Sequence, residues 1–322
     1  MKKLTALFTA LCILAMSSVV FAESDYEPVT ITVDLARSGL GDKVEETFEA
    51  APTRAVAVGN QLVDILLDLG LEESMIAAIP YDADSEHDFP GRSVIPNVWV
   101  GGRKGVSREQ LLSVSPDFLM GWDSDFGEDY FNKDFCQENG IMMYMPNVCT
   151  DFATMEDLFK DYETLGRIFD VQDTAAARIE EKRAVLEEVR EALGDEAYEN
   201  PVTIFNYDSE SDSAPFTACQ GMPGDMFKLA GGISIFDDID KAWATVSWEQ
   251  VVERNPQVII VNDYSGEGEE TVASLYEKEA LANVDAIVNK RVYCVPLSDL
   301  EGSSGSADVV AQIAGYLYPD KF

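Results

Sequence analysis

Basic residues are scarce in this 322-residue sequence. Only 23 lysines and arginines stand against 59 aspartates and glutamates, which gives a formal net charge of −36. A chain this acidic is repelled by a phosphate backbone, so the composition argues against nucleic acid as a partner. Solubility alone explains the excess of acids.

Histidine is scarcer still, since His87 is the only one. A serine or cysteine hydrolase needs a base beside its nucleophile, and the sequence also has no Gly-x-Ser-x-Gly elbow. A secreted α/β hydrolase, with Cys219 as nucleophile, is therefore only the alternative of another class. His87 has acidic neighbours and could ligate a metal, but a solvated acidic loop is the commoner explanation, and we expect no metal site.

Long apolar runs are absent beyond the N-terminal segment. Residues 1–22 combine two lysines, an apolar run and a small-residue end at Ala22, which is typical of an export signal. Leu11 precedes Cys12 where a lipidation site needs a small residue, so cleavage after Ala22 is favoured over a lipid anchor. No later stretch is long enough for a membrane span. We expect a soluble, monomeric periplasmic protein.

Cysteines are few, and four follow the export signal: Cys136, Cys149, Cys219 and Cys294. In an oxidising compartment four cysteines allow three disulfide connectivities. Cys136 and Cys149 flank one predicted strand, which weakly favours that pair and leaves Cys219 with Cys294. The spacings do not match a zinc site.

One pattern is written twice, as VSREQLLSVSPDFLM at 106–120 and VSWEQVVERNPQVII at 246–260. Ser107 and Ser247 each stand three residues before a glutamine, the form of a capping box that begins a helix. A proline then marks the end of each helix, and a short apolar run follows that is typical of a strand buried on both faces. The repeat predicts helix, tight turn and parallel strand in each half of the chain.

The remaining periodicity predicts an α/β fold of two Rossmann-like lobes joined by one long linking helix. The expected boundaries are 23–165 for the N-terminal lobe, 166–198 for the linking helix and 199–322 for the C-terminal lobe. Ligands of open α/β sheets lie beyond the carboxyl ends of the strands, so two such edges predict a ligand cleft between the lobes. A single rigid connection allows only small relative motion.

Several motifs, in this order, resemble one family. PTRAVAVGN, both copies of the repeat, LAGGISIFDD and NKRVYCVP are similar to the substrate-binding proteins of bacterial ABC importers for iron–siderophore, cobalamin and haem complexes. The resemblance runs from Thr30 to Phe322. It implies a non-enzymatic protein without a cofactor that captures a metal chelate, a ferric siderophore first and cobalamin or haem as alternatives, and delivers it to a permease. A sensor without a transporter stays open.

The resemblance also gives the repeated glutamates a role. By position Glu109 and Glu249 match the family's glutamates that pair with arginines of the membrane permease. The helix dipole favours a negative charge in the first turn, which would explain both residues without any partner.

The candidate ligand-binding residues lie in the predicted edge loops. Phe216 and Trp243 belong to stretches that resemble those of cobalamin-binding members, in which aromatic side chains touch the ligand. Arg103 stands where that pattern would put an aromatic residue, and a guanidinium can hold an anionic chelate. Free-metal importers of related type use several histidines, which disfavours a zinc or manganese ligand. The other candidates, each as readily a core or surface residue, are Tyr81, Trp122, Tyr207 and Tyr264.

Overall fold

The computed structural model describes residues 26–35, 43–81, 93–264 and 266–322. The predicted export signal with Cys12, and His87 with its acidic neighbours, lie outside the described residues. Within these ranges no helix is both long and apolar enough to cross a membrane.

The first half of the chain contains a hairpin and a parallel sheet. Its strands are β1 (Val29–Asp34), β2 (Lys43–Phe48), β3 (Ala55–Val58), β4 (Met75–Ile79), β5 (Asn97–Val98), β6 (Phe118–Met120) and β7 (Met142–Tyr144). Its helices, with the long one that follows, are α1 (Asn60–Asp68), α2 (Arg108–Ser113), α3 (Lys133–Glu138), α4 (Met155–Ile168) and α5 (Gln172–Leu193). β1 and β2 pair antiparallel, and the others form a parallel sheet in the order β5-β4-β3-β6-β7.

The second half contains another parallel sheet and a small antiparallel one. Its strands are β8 (Val202–Tyr207), β9 (Ser209–Ser211), β10 (Ala214–Ala218), β11 (Gly232–Ser234), β12 (Trp243–Thr245), β13 (Val258–Asp263) and β14 (Val292–Pro296). Its helices are α6 (Asp195–Glu199), α7 (Gly221–Leu229), α8 (Trp248–Arg254), α9 (Gly268–Glu277), α10 (Asp285–Val288), α11 (Leu297–Leu300) and α12 (Ser306–Leu317). The parallel order is β11-β8-β13-β14, and the antiparallel order is β12-β10-β9.

The two parallel sheets share one strand order. Once the edge strand β5 is left out, β4-β3-β6-β7 and β11-β8-β13-β14 both read second, first, third, fourth along the chain. The first and third strands are neighbours in each, which is the switch point where ligands of such sheets bind. The predicted pair of Rossmann-like lobes is confirmed.

The repeated sequence folds the same way in both lobes. Ser107 Oγ accepts a hydrogen bond from the Gln110 amide at 3.1 Å, and Ser247 Oγ accepts one from the Gln250 amide at 3.2 Å. Each unit then turns through a left-handed residue directly before its proline, with φ of 47° at Ser115 and 43° at Asn255. β6 and β13 follow, so the serine caps, the turns and the strands are confirmed, and at Ser247 the Gln250 side chain also accepts from the serine amide to complete the capping box.

The predicted linking segment contains α5. This helix has 22 residues and therefore spans about 33 Å at 1.5 Å per residue. It packs against α4 and against α12, the last helix of the chain. The boundaries at 166 and 198 stay predictions, since α4 ends inside that range at Ile168 and α6 begins inside it.

The hydrophobic core explains why the lobes are held together. One cluster of buried residues runs through both halves and includes Ala57, Phe159, Ile204 and Val310. Two further clusters each belong to one lobe, on the other face of its parallel sheet. The shared cluster, and not the linking helix alone, limits relative motion of the lobes.

The predicted disulfides do not occur in this structure, because Cys136, Cys149, Cys219 and Cys294 are free thiols. Successive residues of β7, Met143 and Tyr144, pack into different core clusters, and Cys136 and Cys149 belong to those same two clusters. The strand between them therefore separates the two thiols. Cys219 and Cys294 instead lie against the Thr217 carbonyl and the Glu269 carboxylate.

Candidate functional site

The lobes meet beyond the carboxyl ends of their strands. A side chain at Gly302, which follows β14, would come within 2.8 Å of Val148, which follows β7. A side chain at Gly221, at the start of α7, would collide with the Asp151 carbonyl. The carboxyl edges of both sheets thus border this junction, and the cleft lies between them.

Asp125 organises the N-terminal edge. Its side chain is fully buried and accepts hydrogen bonds from the Trp122 amide at 2.8 Å, Tyr81 Oη at 3.2 Å and Arg103 Nη1 at 3.3 Å. Burial raises the pKa of Asp125 to about 6, although these three donors oppose the rise. The structure therefore brings together three predicted ligand-binding residues around one carboxylate that the sequence analysis did not name.

Two glycines let the Tyr81 ring lie against the backbone. A side chain at Gly102 would overlap the ring, and one at Gly59 would come within 3.0 Å of it. Both glycines have positive φ, 57° and 107°, which other residues rarely adopt. Burial, together with the charge of Asp125, raises the pKa of Tyr81 well above its usual value, so the phenol remains a hydrogen-bond donor.

Four polar atoms at this edge are buried without a hydrogen-bond partner in the described part of the chain. They are Asn60 Oδ1, Gln61 Nε2, Arg103 Nε and Trp122 Nε1. Each such atom costs about 1–3 kcal/mol unless something satisfies it. Asn60 and Gln61 open α1 directly after β3, and Trp122 follows the neighbouring β6, so the cost is concentrated at the switch point. Because Asn60 and Gln61 come just after a buried strand, the sequence could have indicated them as candidate site residues.

Asp208 holds the corresponding C-terminal edge. It follows β8, is 8% exposed, and accepts hydrogen bonds at 2.8 Å from Asn262 Nδ2, Ser209 Oγ and Tyr264 Oη. The Tyr264 hydroxyl lies 2.8 Å from the other carboxylate oxygen as well, while the residue is 48% exposed. Tyr264, a predicted ligand residue, is thus anchored at its polar end and accessible elsewhere.

Phe216 and Trp243 form an aromatic pair in the small antiparallel sheet. Their rings stack with centroids 5.7 Å apart and planes 13° apart, and both residues are partly exposed. Ala242, next to Trp243, lies against Gly221 at the lobe junction. The pairing of β10 with β12 therefore brings these two predicted ligand residues together beside the cleft.

Tyr207, a further predicted ligand residue, is half-buried and makes ring contacts within its own lobe. It stacks on Trp248 with centroids 5.9 Å apart and planes 21° apart. Lys278 Nζ lies 4.3 Å from the centroid of the same Trp248 ring. Tyr207 also packs against the core cluster that belongs to the C-terminal lobe alone. One side of its ring is thus packed within that lobe, and its role in ligand binding stays a prediction.

The repeated glutamates are exposed in the first turns of α2 and α8. Each carboxylate is hydrogen-bonded by its own backbone amide and by the capping serine, which lowers the pKa of Glu109 and of Glu249. Both therefore present a firmly ionised carboxylate on the surface, one from each lobe.

A groove of about 670 Å³ lies elsewhere, between α5 and α7. Three cations line it, and each is already paired with an acid: Arg183 with Glu156, Arg190 with Asp195 and Lys228 with Asp237. We place the candidate site at the carboxyl edges, where buried donors are unpaired.

Comparisons with known proteins agree over most of the chain. The profile of the periplasmic binding protein family matches residues 56–297. The vitamin B12-binding protein of Vibrio vulnificus is 23% identical over 221 residues, 68% of this chain and 75% of that protein. A periplasmic binding protein from Veillonella parvula superposes with a TM-score of 0.79 at 26% identity, over 91% of this chain and 98% of that chain. An ABC-type Fe3+-hydroxamate transport system structure from Saccharomonospora viridis gives 0.69 at 21% identity, over 89% and 98%.

Proposed function

The chain belongs to the periplasmic binding protein family, and from this premise we propose that it captures a metal chelate between its lobes and delivers it to an ABC permease. Members of this family are substrate-binding proteins that work in the periplasm, so the hydrolase alternative has no support. Residues 1–22 would direct export and then be removed. The observation that supports this proposal is the pair of carboxyl edges of the two parallel sheets. One edge has buried donors without partners among the described residues, and the other has accessible aromatic rings.

We infer that the preferred ligand is a ferric siderophore. Arg103 Nε and Trp122 Nε1 are buried donors without partners among the described residues, and they suit the oxygen acceptors of an anionic chelate. Phe216 and Trp243 would supply an apolar wall of the kind that binding pockets need. The Fe3+-hydroxamate neighbour is consistent with this class.

Cobalamin is the second candidate. The observation in its favour is the vitamin B12-binding relative from Vibrio vulnificus, together with an aromatic pair that could pack against a corrin ring. Haem transport is a further alternative of the same role. The three ligands differ in charge and size, so one titration series separates them.

The ligand proposal is tested by quenching of the intrinsic tryptophan fluorescence, since Trp122 and Trp243 lie at the two edges. The protein is titrated with a ferric trihydroxamate, cyanocobalamin and haemin. We expect the trihydroxamate to bind most tightly. Tighter binding of cyanocobalamin or haemin would replace the siderophore assignment, and no binding of any probe would refute chelate capture.

We also propose that Glu109 and Glu249 dock the protein onto the permease. Their support is the matched presentation of one exposed, ionised carboxylate from each lobe. The double variant Glu109→Ala/Glu249→Ala should keep ligand affinity and lose most permease-dependent uptake. The matched control, Asp134→Ala/Glu270→Ala, removes one exposed first-turn acid from each lobe outside the repeat and should transport normally. Equal uptake by both double variants would contradict the docking role.

A further inference from the structure

Both parallel sheets carry a buried carboxylate at their carboxyl edge. Asp125 follows β6 and Asp208 follows β8, and they are 0% and 8% exposed. β3 and β6 are neighbours in one sheet, as β8 and β13 are in the other. Asp125 thus follows the third strand of the shared order and Asp208 the first, so each lies beyond one of the two strands that border the switch point. The two acids follow non-equivalent strands, and the sequence repeat does not align them.

The partners of these carboxylates distinguish them from a buried acid with a local structural role. Asp161 is also fully buried, but its hydrogen bonds come from Tyr144, Asn147 and the Val148 amide, around the loop after β7. Asp125, in contrast, accepts bonds from Tyr81 and Arg103, and Asp208 accepts from Tyr264. These three donors are side chains of the proposed ligand site.

The hydrogen bonds restrain those side chains at specific atoms. Asp125 Oδ2 accepts from Tyr81 Oη, and Asp125 Oδ1 accepts from Arg103 Nη1. This leaves the Arg103 Nε donor buried and unpaired within the described residues. Asp208 holds the Tyr264 hydroxyl through both carboxylate oxygens.

We propose that Asp125 and Asp208 are positioning residues for ligand recognition, an inference that rests on the proposed function. Asp125 fixes Tyr81 and Arg103, and Asp208 fixes Tyr264, in one orientation before the ligand arrives. Arginine and tyrosine lose side-chain freedom when a ligand immobilises them, and prior anchoring removes that entropy cost from the binding step.

The geometry predicts different results for alanine and asparagine at position 208. Asp208→Ala removes both carboxylate oxygens and with them the two hydrogen-bond contacts that hold the Tyr264 hydroxyl. Asp208→Asn keeps an oxygen that can accept from Asn262 and Tyr264, while its amide group can donate to Ser209. We therefore expect Asp208→Ala to bind the trihydroxamate roughly tenfold more weakly, the loss that freeing one such side chain entails, and Asp208→Asn to bind it nearly as tightly as the wild type.

Position 125 gives the converse result. If the asparagine oxygen takes the place of Oδ2, it keeps the bonds from Tyr81 and the Trp122 amide. The asparagine NH2 group then faces the Arg103 guanidinium, and since both groups are donors, that hydrogen bond is lost. Asp125→Asn should release Arg103 alone and weaken the anionic trihydroxamate more than cyanocobalamin. Asp117→Asn is the control, because it changes an acid that accepts from the Thr53 and Arg54 amides at the amino end of β6, away from the carboxyl edge, and it should leave every affinity unchanged.

The experiment combines titration of these variants by the three probes with crystal structures of the ligand-free wild type and Asp208→Ala. We expect one Tyr264 orientation in the wild type and several, or none defined, in the variant. An unchanged Tyr264 in Asp208→Ala would overturn the proposal, and so would equal losses of affinity in Asp208→Ala and Asp208→Asn.

Failure of this proposal and failure of the proposed function are distinguishable. If the wild type binds none of the probes, chelate capture is refuted, while the ligand-free crystals still decide whether Asp208 positions Tyr264. If Asp208→Ala does not fold, Tyr264→Phe removes the same hydrogen bonds and keeps the ring. An ordered ring with wild-type affinity in that variant would equally overturn the positioning role.

Discussion

Replacing Asp125 by asparagine should change how stability depends on pH. The folded protein raises the pKa of this buried carboxyl from 3.8 to about 6, so between these values the folded state holds a proton that the unfolded state has lost. Stability therefore falls as pH rises through this window. At 1.36 kcal/mol per pKa unit, a difference of about 2.2 units corresponds to about 3 kcal/mol, of which about 2 kcal/mol falls between pH 4.5 and pH 7.5.

Urea unfolding of the wild type and Asp125→Asn, at pH 4.5 and pH 7.5, measures this contribution. Asparagine does not titrate, so the variant's free energy of unfolding should gain about 2 kcal/mol relative to the wild type between the two pH values. Asp161, whose pKa burial also raises to about 6, is unchanged in both proteins and cancels. A difference between the two proteins that does not vary with pH would refute the reasoning.

Three other outcomes are expected. Trp243→Ala should weaken binding of the preferred chelate at least tenfold, about 1.4 kcal/mol, with little change in melting temperature, and equal affinity by fluorescence titration would remove Trp243 from the site. Gly102→Ala should lower the free energy of unfolding by about 1–3 kcal/mol, because the new methyl group would overlap the Tyr81 ring; an unchanged urea midpoint would contradict that contact. The processed, unreduced protein should show four reactive thiols per chain after denaturation. An intact mass four hydrogens below that of the fully reduced chain would show two disulfides and contradict this expectation.

The elements that the sequence predicted well are those fixed by local chemistry. Ser107 and Ser247 cap their helices because a serine oxygen can reach an amide three residues on, whatever the rest of the fold does. The linking segment was less well bounded. Asp170 takes a positive φ of 58° and separates α4 from α5, and nothing in the helical periodicity marks that turn.

The features that the sequence could not reveal depend on which face of a strand a residue occupies. Cys136 and Cys149 are near one another along the chain, yet they belong to different core clusters. Tyr207 is the last residue of β8, and only the fold shows that its ring stacks on Trp248. These outcomes are set by packing between distant segments.

The sequence alone could not single out Asp125 as a site residue. It is one of 59 acidic residues, and only the folded chain brings Tyr81, Arg103 and Trp122 to it. The aromatic pair shows the opposite case, since the resemblance pointed to both Phe216 and Trp243 before the pairing of β10 with β12 showed them stacked.

A crystal structure with the tightest-binding of the three probes tests the central claim most directly. The account predicts the chelate between the lobes, in contact with Arg103 or Trp122 on one edge and with Trp243 or Tyr264 on the other. A chelate bound in the groove between α5 and α7, or on one lobe alone, would contradict it.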